Sequence, residues 1–300
     1  MIMKSFASSP HQKHTNFCQK RNTIMNYIDL HIHSHFSDGS MTPTELVSLA
    51  KKYGLKAIAL TDHDTTDGVA EAVEAGKKYG VEIIPGIEFS VVSTGETHIL
   101  GYGIDITNQE LTSAINRAKE LRLINNQRTA EALQKIGFDI TVEDAKKLSP
   151  VGNMGRAHFA KLMEIKGYVK SVKDAFDLYL QKGKPAFNSL RLLEPEEAIR
   201  LIHVSGGKAF LAHLHLTKFK GEELENYVIK LKNAGLDGIE GYYTEYDEAM
   251  QKEYQALAKK HNLLISGGTD FHGTNKPHIK IGIGYGNLKI PYELIDKIKQ

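Results

Sequence analysis

Short apolar runs alternate along the chain with stretches whose apolar positions recur every three or four residues. The runs at 27–30, 57–60, 82–85, 208–212, 238–240 and 263–266 are short, largely apolar and mostly bounded by glycine, and they predict buried strands. A further extended segment is predicted at 97–102. Helical periodicity fills the intervals at 68–79, 195–204, 222–233 and 245–261. One helix start is explicit. Thr42 stands as N-cap with Pro43 at N1 and Glu45 at N3, a capping box ahead of Leu46, Leu49 and Ala50, and Gly54 closes the helix. Alternation of this kind predicts an α/β fold with a mostly parallel sheet, open or closed into a barrel.

From 105 to 185 the rhythm changes. Helical patterns at 109–136, 142–148, 157–164 and 172–180 follow one another with no convincing strand between them. This predicts an α/β body at 26–104 and 186–300, interrupted by a helical insertion at 105–185 that caps the functional face. Residues 1–25 are basic and polar with no acidic side chain and predict a disordered leader, so His11 and His14 are poor ligand candidates. Met25, immediately before the first strand, suggests itself as the true start.

Composition narrows the function classes. The 300 residues carry 38 basic and 36 acidic side chains, a net charge of +2, so no global field favours duplex DNA and an anionic substrate must be met locally. No apolar run approaches the roughly 20 residues that cross a bilayer, which argues against a membrane role. The single cysteine, Cys18, lies in the leader and no secretion signal precedes the body, which points to the cytoplasm.

The chemistry lies at the strand ends. His31 and His33 with Asp38, then Asp62-His63-Asp64, Glu88, His213 and Asp270-Phe271-His272 mostly follow an apolar run directly. Ligands placed past strand ends are what an α/β enzyme needs to gather distant residues at one mouth of its sheet. On a strand extension His31 and His33 project the same way. Imidazole with carboxylate and no thiolate suits Mn²⁺, Fe²⁺ or Zn²⁺ at a catalytic site rather than a structural zinc cage.

The strings Asp29-Leu30-His31-Ile32-His33-Ser34 through Asp38-Gly39, Thr61-Asp62-His63-Asp64, Gly86-Ile87-Glu88 and Gly268-Thr269-Asp270-Phe271-His272 closely resemble the PHP (polymerase and histidinol phosphatase) phosphoesterase superfamily, in its order and over nearly everything after the leader. The insertion after His98 and the run Gly155-Arg156-Ala157-His158 are most similar to its branch of nucleoside 3′,5′-bisphosphate phosphatases and 5′ to 3′ exoribonucleases. The resemblance implies a distorted seven-stranded β/α barrel holding two to three divalent ions, with Mn²⁺ favoured. It implies one ion on His31, His33, Glu88 and Asp270, a second on Glu88, His98 and His213, and a third on Asp38, His63 and His272. Glu88 then bridges two ions.

A metal-activated hydroxide would attack phosphorus, with Asp270 as a candidate proton acceptor. Asp62 and Asp64 are expected to orient ligands rather than bind metal. Arg156 is expected to fork onto a phosphate, and His158 to act as a donor or as general acid. Arg122, Asn126 and Lys184 complete the expected substrate contacts, Asn126 standing where the family often has arginine. His215 follows His213 where the family commonly has proline nearby, and is expected beside the site or at the surface. Glu240, Tyr242 and Tyr243 follow a strand and either touch a base or pack. The expected substrates are a small phosphorylated nucleotide or a short RNA. The alternatives are a histidinol phosphatase and a non-catalytic nucleotide-binding module.

Overall fold

The computed structural model describes residues 26–93, 95–148, 154–188 and 193–299, and the leader expected at 1–25 lies outside them. Seven strands, β1 (Ile28–Ile32), β2 (Ala57–Leu60), β3 (Glu82–Ser90), β4 (His98–Tyr102), β5 (Lys208–Leu211), β6 (Gly238–Tyr243) and β7 (Leu264–Gly268), neighbour one another in chain order. The last strand returns to the first. Asp270 N–H donates to His31 O at 2.8 Å and His33 N–H to Phe271 O at 2.9 Å, so the sheet is a nearly closed barrel of the expected α/β class. Close approach here requires glycine, because a Cβ on Gly268 would lie 2.1 Å from His31 Cβ.

Between the strands on the barrel's outside run α1 (Pro43–Lys52), α2 (Val69–Tyr79), α7 (Pro195–Val204), α8 (Gly221–Asn233) and α9 (Glu248–Lys260), while α10 (Glu293–Ile298) packs residues such as Ile295 into the barrel's inner cluster with Ile28, Leu30, Leu100 and Phe210. The Thr42 capping box forms as the sequence predicts.

Two departures from a simple parallel sheet shape the site. The sheet is parallel except around β4, which runs antiparallel to both β3 and β5. Residues 86–90, beyond the expected strand at 82–85, stay in β3 because β4 pairs with them, Glu88 opposite Leu100. Alternation along that extension buries Ile87 and Phe89 among the outer helices and turns Glu88 inward. In β1 the register with β2 shifts between Asp29 and Ile32. Leu30 joins the inner cluster while Ile32 packs with α1 and α2, so the irregularity re-aims His31 and His33 into the mouth.

Among the described residues the stretch from 105 to 185 forms α3 (Gln109–Lys135), α4 (Val142–Lys146), α5 (Arg156–Ile165) and α6 (Val172–Ala175), which continues into a π-helical segment at Phe176–Leu180. Its second half builds its own apolar cluster around Leu133, Phe159, Met163 and Leu180. The first half of α3 instead packs Leu111 and Ile115 into the barrel's outer core, and Asn108 Nδ2 donates to Val204 O at 2.9 Å.

Candidate metal centre

All nine residues expected as ligands meet at one mouth of the barrel. Glu88 is the hub. Its Oε2 lies 3.2 Å from His31 Nε2, 3.1 Å from His33 Nε2 and 3.2 Å from His63 Nδ1. Its Oε1 lies 2.8 Å from His98 Nδ1 and 3.1 Å from His213 Nε2, and those two nitrogens are 3.1 Å apart. One carboxylate therefore faces two separate sets of imidazoles. Burial alone would push the Glu88 carboxyl up, yet the imidazoles of His63, His31 and His98 hold it well below the usual carboxylate range.

His31 Nε2, His33 Nε2, Glu88 Oε2 and Asp38 Oδ1 are buried and make no hydrogen bond despite this crowding. Buried polar atoms that crowd together without bonding fit a shared cation better than they fit one another. Among the described residues three groups offer ligand atoms that all lie within 4.8 Å of one another: His33, Asp38, His63 and His272; His31, His33 and Glu88; and His63, Glu88 and His98. Asp38 Oδ1 is 3.1 Å from His272 Nε2, and Asp270 Oδ1 is 3.1 Å from His33 Nε2. With oxygen and imidazole donors and no thiolate, the set fits divalent ions.

The supporting residues explain the precision. Asp62 accepts from Ser34 N–H at 2.7 Å, Ser34 Oγ at 2.6 Å and Ser37 Oγ at 2.5 Å, so both its oxygens bind the loop that carries His33 and Asp38. Asp64 accepts from Ser90 N–H at 3.0 Å and from Arg122. The backbone is strained at three of these positions: Asp64, His213 and Asp270 have φ of 51°, 26° and 56°. Such conformations cost about 1–3 kcal/mol each and persist where surrounding structure over-determines them.

Asp270 also shows what the sequence reading missed. Its Oδ2 accepts from Lys276 Nζ at 2.6 Å and from Tyr243 Oη at 2.9 Å. Burial would raise its pKa, but Lys276, His272 and His31 hold it well below the usual range. With Oδ2 taken by Lys276 and Tyr243, Oδ1 is the oxygen left toward His33 and His31. Lys276 follows His272 by four positions and is a lone cation in a polar turn, a pattern too common to single out. Glu240 is expected to touch a base or to pack. It touches His31 and His213, and neither base contact nor plain packing describes it.

The insertion residues divide. Arg122 reaches the mouth and pairs with Asp64. His158 is buried, and its Nδ1 accepts from Gly155 N–H at 3.1 Å, which places the ring proton on Nε2. Burial lowers its pKa, and a second proton on Nδ1 would oppose the Gly155 N–H. Of the two expected roles the geometry favours a neutral donor over a general acid. Arg156 donates to Leu180 O at 3.2 Å and lies 4.9 Å over the Phe187 ring; burial lowers its pKa, with Glu96 opposing that shift and Arg122 adding to it.

Asn126 does not fit its expected substrate contact. It is buried, and Nδ2 donates to Met154 O at 2.9 Å, tying α3 to the segment before α5. Lys184 sits in the turn after the π-helical segment, its N–H bonded to Gln181 O at 3.0 Å, and no contact joins its side chain to the centre among the described residues. His215 pairs with Glu245 at 3.0 Å and rests on Tyr243, beside the centre and outside it.

The PHP domain model matches residues 29–268. The chain is 35% identical over 245 residues to a 5′-3′ exoribonuclease of Haemophilus influenzae, covering 81% of this chain and 89% of that protein. It is 32% identical over 257 residues to a 3′,5′-nucleoside bisphosphate phosphatase of Chromobacterium violaceum, covering 85% and 90%. A solved amidohydrolase from Chromobacterium violaceum, with bound sulfate and no metal, superposes with a TM-score of 0.82 at 31% identity over 90% of this chain and 96% of that one.

Proposed function

The chain belongs to the PHP domain family, and from that premise we propose a metal-dependent phosphoesterase that removes the 3′-phosphate of nucleoside 3′,5′-bisphosphates, trims short 5′-phosphorylated RNA from its 5′ end, or does both. The observation that carries the reading is Glu88, whose two oxygens each serve their own set of imidazoles. We assign two to three divalent ions to these residues, with Mn²⁺ favoured and Fe²⁺ or Zn²⁺ the alternatives. Bound there, such ions lower the pKa of water and neutralise phosphoryl oxygens.

The chain's own residues do the rest. Glu88 and Asp270 enter the reaction ionised and supply the negative charge that balances the cations. His158 presents Nε2–H as a neutral donor to a phosphate oxygen. Arg122, oriented by Asp64, and Arg156, backed by Phe187, present two guanidinium groups from the helical side, the forked geometry that phosphate recognition uses.

Assaying 3′-phosphoadenosine 5′-phosphate beside 5′-phosphorylated oligoribonucleotides, with Mn²⁺ supplied, tests the proposal. Release of phosphate or of mononucleotides supports it. Inertness toward both, or turnover of histidinol phosphate at a comparable rate, defeats it. Among the described residues no helix is long and apolar enough to cross a membrane.

A further inference from the structure

We propose that Glu240 is a positioning residue that fixes which nitrogen of His31 is free and holds the backbone of His213, readying the two imidazole sets that Glu88 serves. The inference rests on the reading that these residues hold divalent ions.

Glu240 stands on β6 with its side chain fully buried. Its Oε1 is 3.0 Å from His31 Nδ1, and its Oε2 accepts from His213 N–H at 2.7 Å. A carboxylate has no proton to give, so the His31 contact requires the ring proton on Nδ1. In the neutral ring, the form that can bind a metal, the lone pair is thereby directed through Nε2, which lies 3.2 Å from Glu88 Oε2 and 3.6 Å from Asp270 Oδ1. At the other end the same carboxylate pins His213, whose φ of 26° lies in the region that residues with a Cβ rarely adopt. One buried charge thus governs a ligand on β1 and a ligand after β5, which sit on opposite sides of β6 and β7 in the sheet order.

A purely structural carboxylate and a tautomer-setting one part company on amide substitution. In Glu240→Gln the amide oxygen must keep the His213 N–H, because the alternative opposes two N–H groups. The NH₂ then faces His31 Nδ1, which has to become the acceptor, and the ring proton moves to Nε2. Size and the His213 bond are conserved while the polarity toward His31 is reversed.

The test compares the full chain and Glu240→Gln, both metal-free, by ¹⁵N–¹H correlation of the histidine rings. The expectation is a proton on His31 Nδ1 in the native protein and none there in the variant. Mn²⁺ and Zn²⁺ titrations should give dissociation constants about 10–100-fold weaker in the variant, the range usual for partners of ligating histidines. An unprotonated His31 Nδ1 in the native protein overturns the proposal without recourse to any variant. So does a variant that binds both ions as the native protein does. The tautomer measurement needs no turnover, so loss of the proposed phosphoesterase activity with the native tautomer in place would sink that reading and leave this one standing.

Discussion

Glu88→Gln should empty the centre more thoroughly than the loss of any one histidine. The substitution keeps the shape of a side chain that is 1% exposed, so packing is preserved. What changes is one unit of negative charge and one acceptor. Whichever oxygen becomes NH₂, it points its hydrogens at ring nitrogens 2.8–3.2 Å away and occupies a lone pair that a metal would use. Two unit charges about 4 Å apart interact by roughly 4 kcal/mol at an effective dielectric of about 20, and a divalent ion doubles that. If half of this survives reorganisation, affinity falls by about 4 kcal/mol, or on the order of 1,000-fold. His98→Gln removes a neutral ligand from one set and leaves the charge balance intact. Equilibrium dialysis against Mn²⁺ followed by elemental analysis reads both variants directly, with circular dichroism to show that each is folded. Equal metal content in the two would refute the bridging role of Glu88.

Three other expectations follow from the same geometry. His158→Gln keeps a neutral donor and should hold kcat within about tenfold, whereas His158→Ala should lose about 100-fold; equal losses would restore the general-acid role. Lys276→Met removes the cation nearest Asp270 and raises that carboxyl's pKa. Activity that depends on ionised Asp270 is then lost at higher pH, so the acid limb of kcat/KM should move upward, and an unmoved limb would show that Lys276 does not tune it. Chelation should abolish activity and lower the melting temperature, since a ligand at 100 times its dissociation constant stabilises by about 2.7 kcal/mol. An unchanged melting temperature would mean that the centre is not loaded in the purified protein.

Much of this centre was written locally in the chain. His31, His33, His63, Asp270 and His272 stand just past apolar runs, and strand ends meet at one mouth, so reading each run as a strand already gathers them. Glu88 was expected just past a strand end, whereas pairing between β3 and β4 keeps it inside the strand. Periodicity alone carries no direction, so the reversal of β4 was invisible. Asn126 misled for a different reason: its side chain faces the packed side of α3, and helix register near 126 depends on contacts with Met154 that no local pattern encodes. Lys276 and Glu240 matter through partners six to more than two hundred positions away, a relation that only the closed barrel creates.

The reversal of β4 dictates the length of the helix that follows it. His98 begins that strand at the mouth, so the chain leaves Tyr102 at the barrel's far end, about 14 Å away over four steps of the strand. Everything the insertion contributes must climb back. From Gln109 to Arg122 the helix rises about 20 Å, enough to bring the guanidinium level with Asp64, and its remaining turns overshoot the rim to carry the helices above it. α3 is therefore a measuring rod. Adding or deleting one residue below Arg122 would swing that side chain by about 100° and displace it by about 1.5 Å, away from its seat on Asp64. What sits on top of the rod can change without moving Arg122, but the lower segment is fixed by the height of the barrel wall.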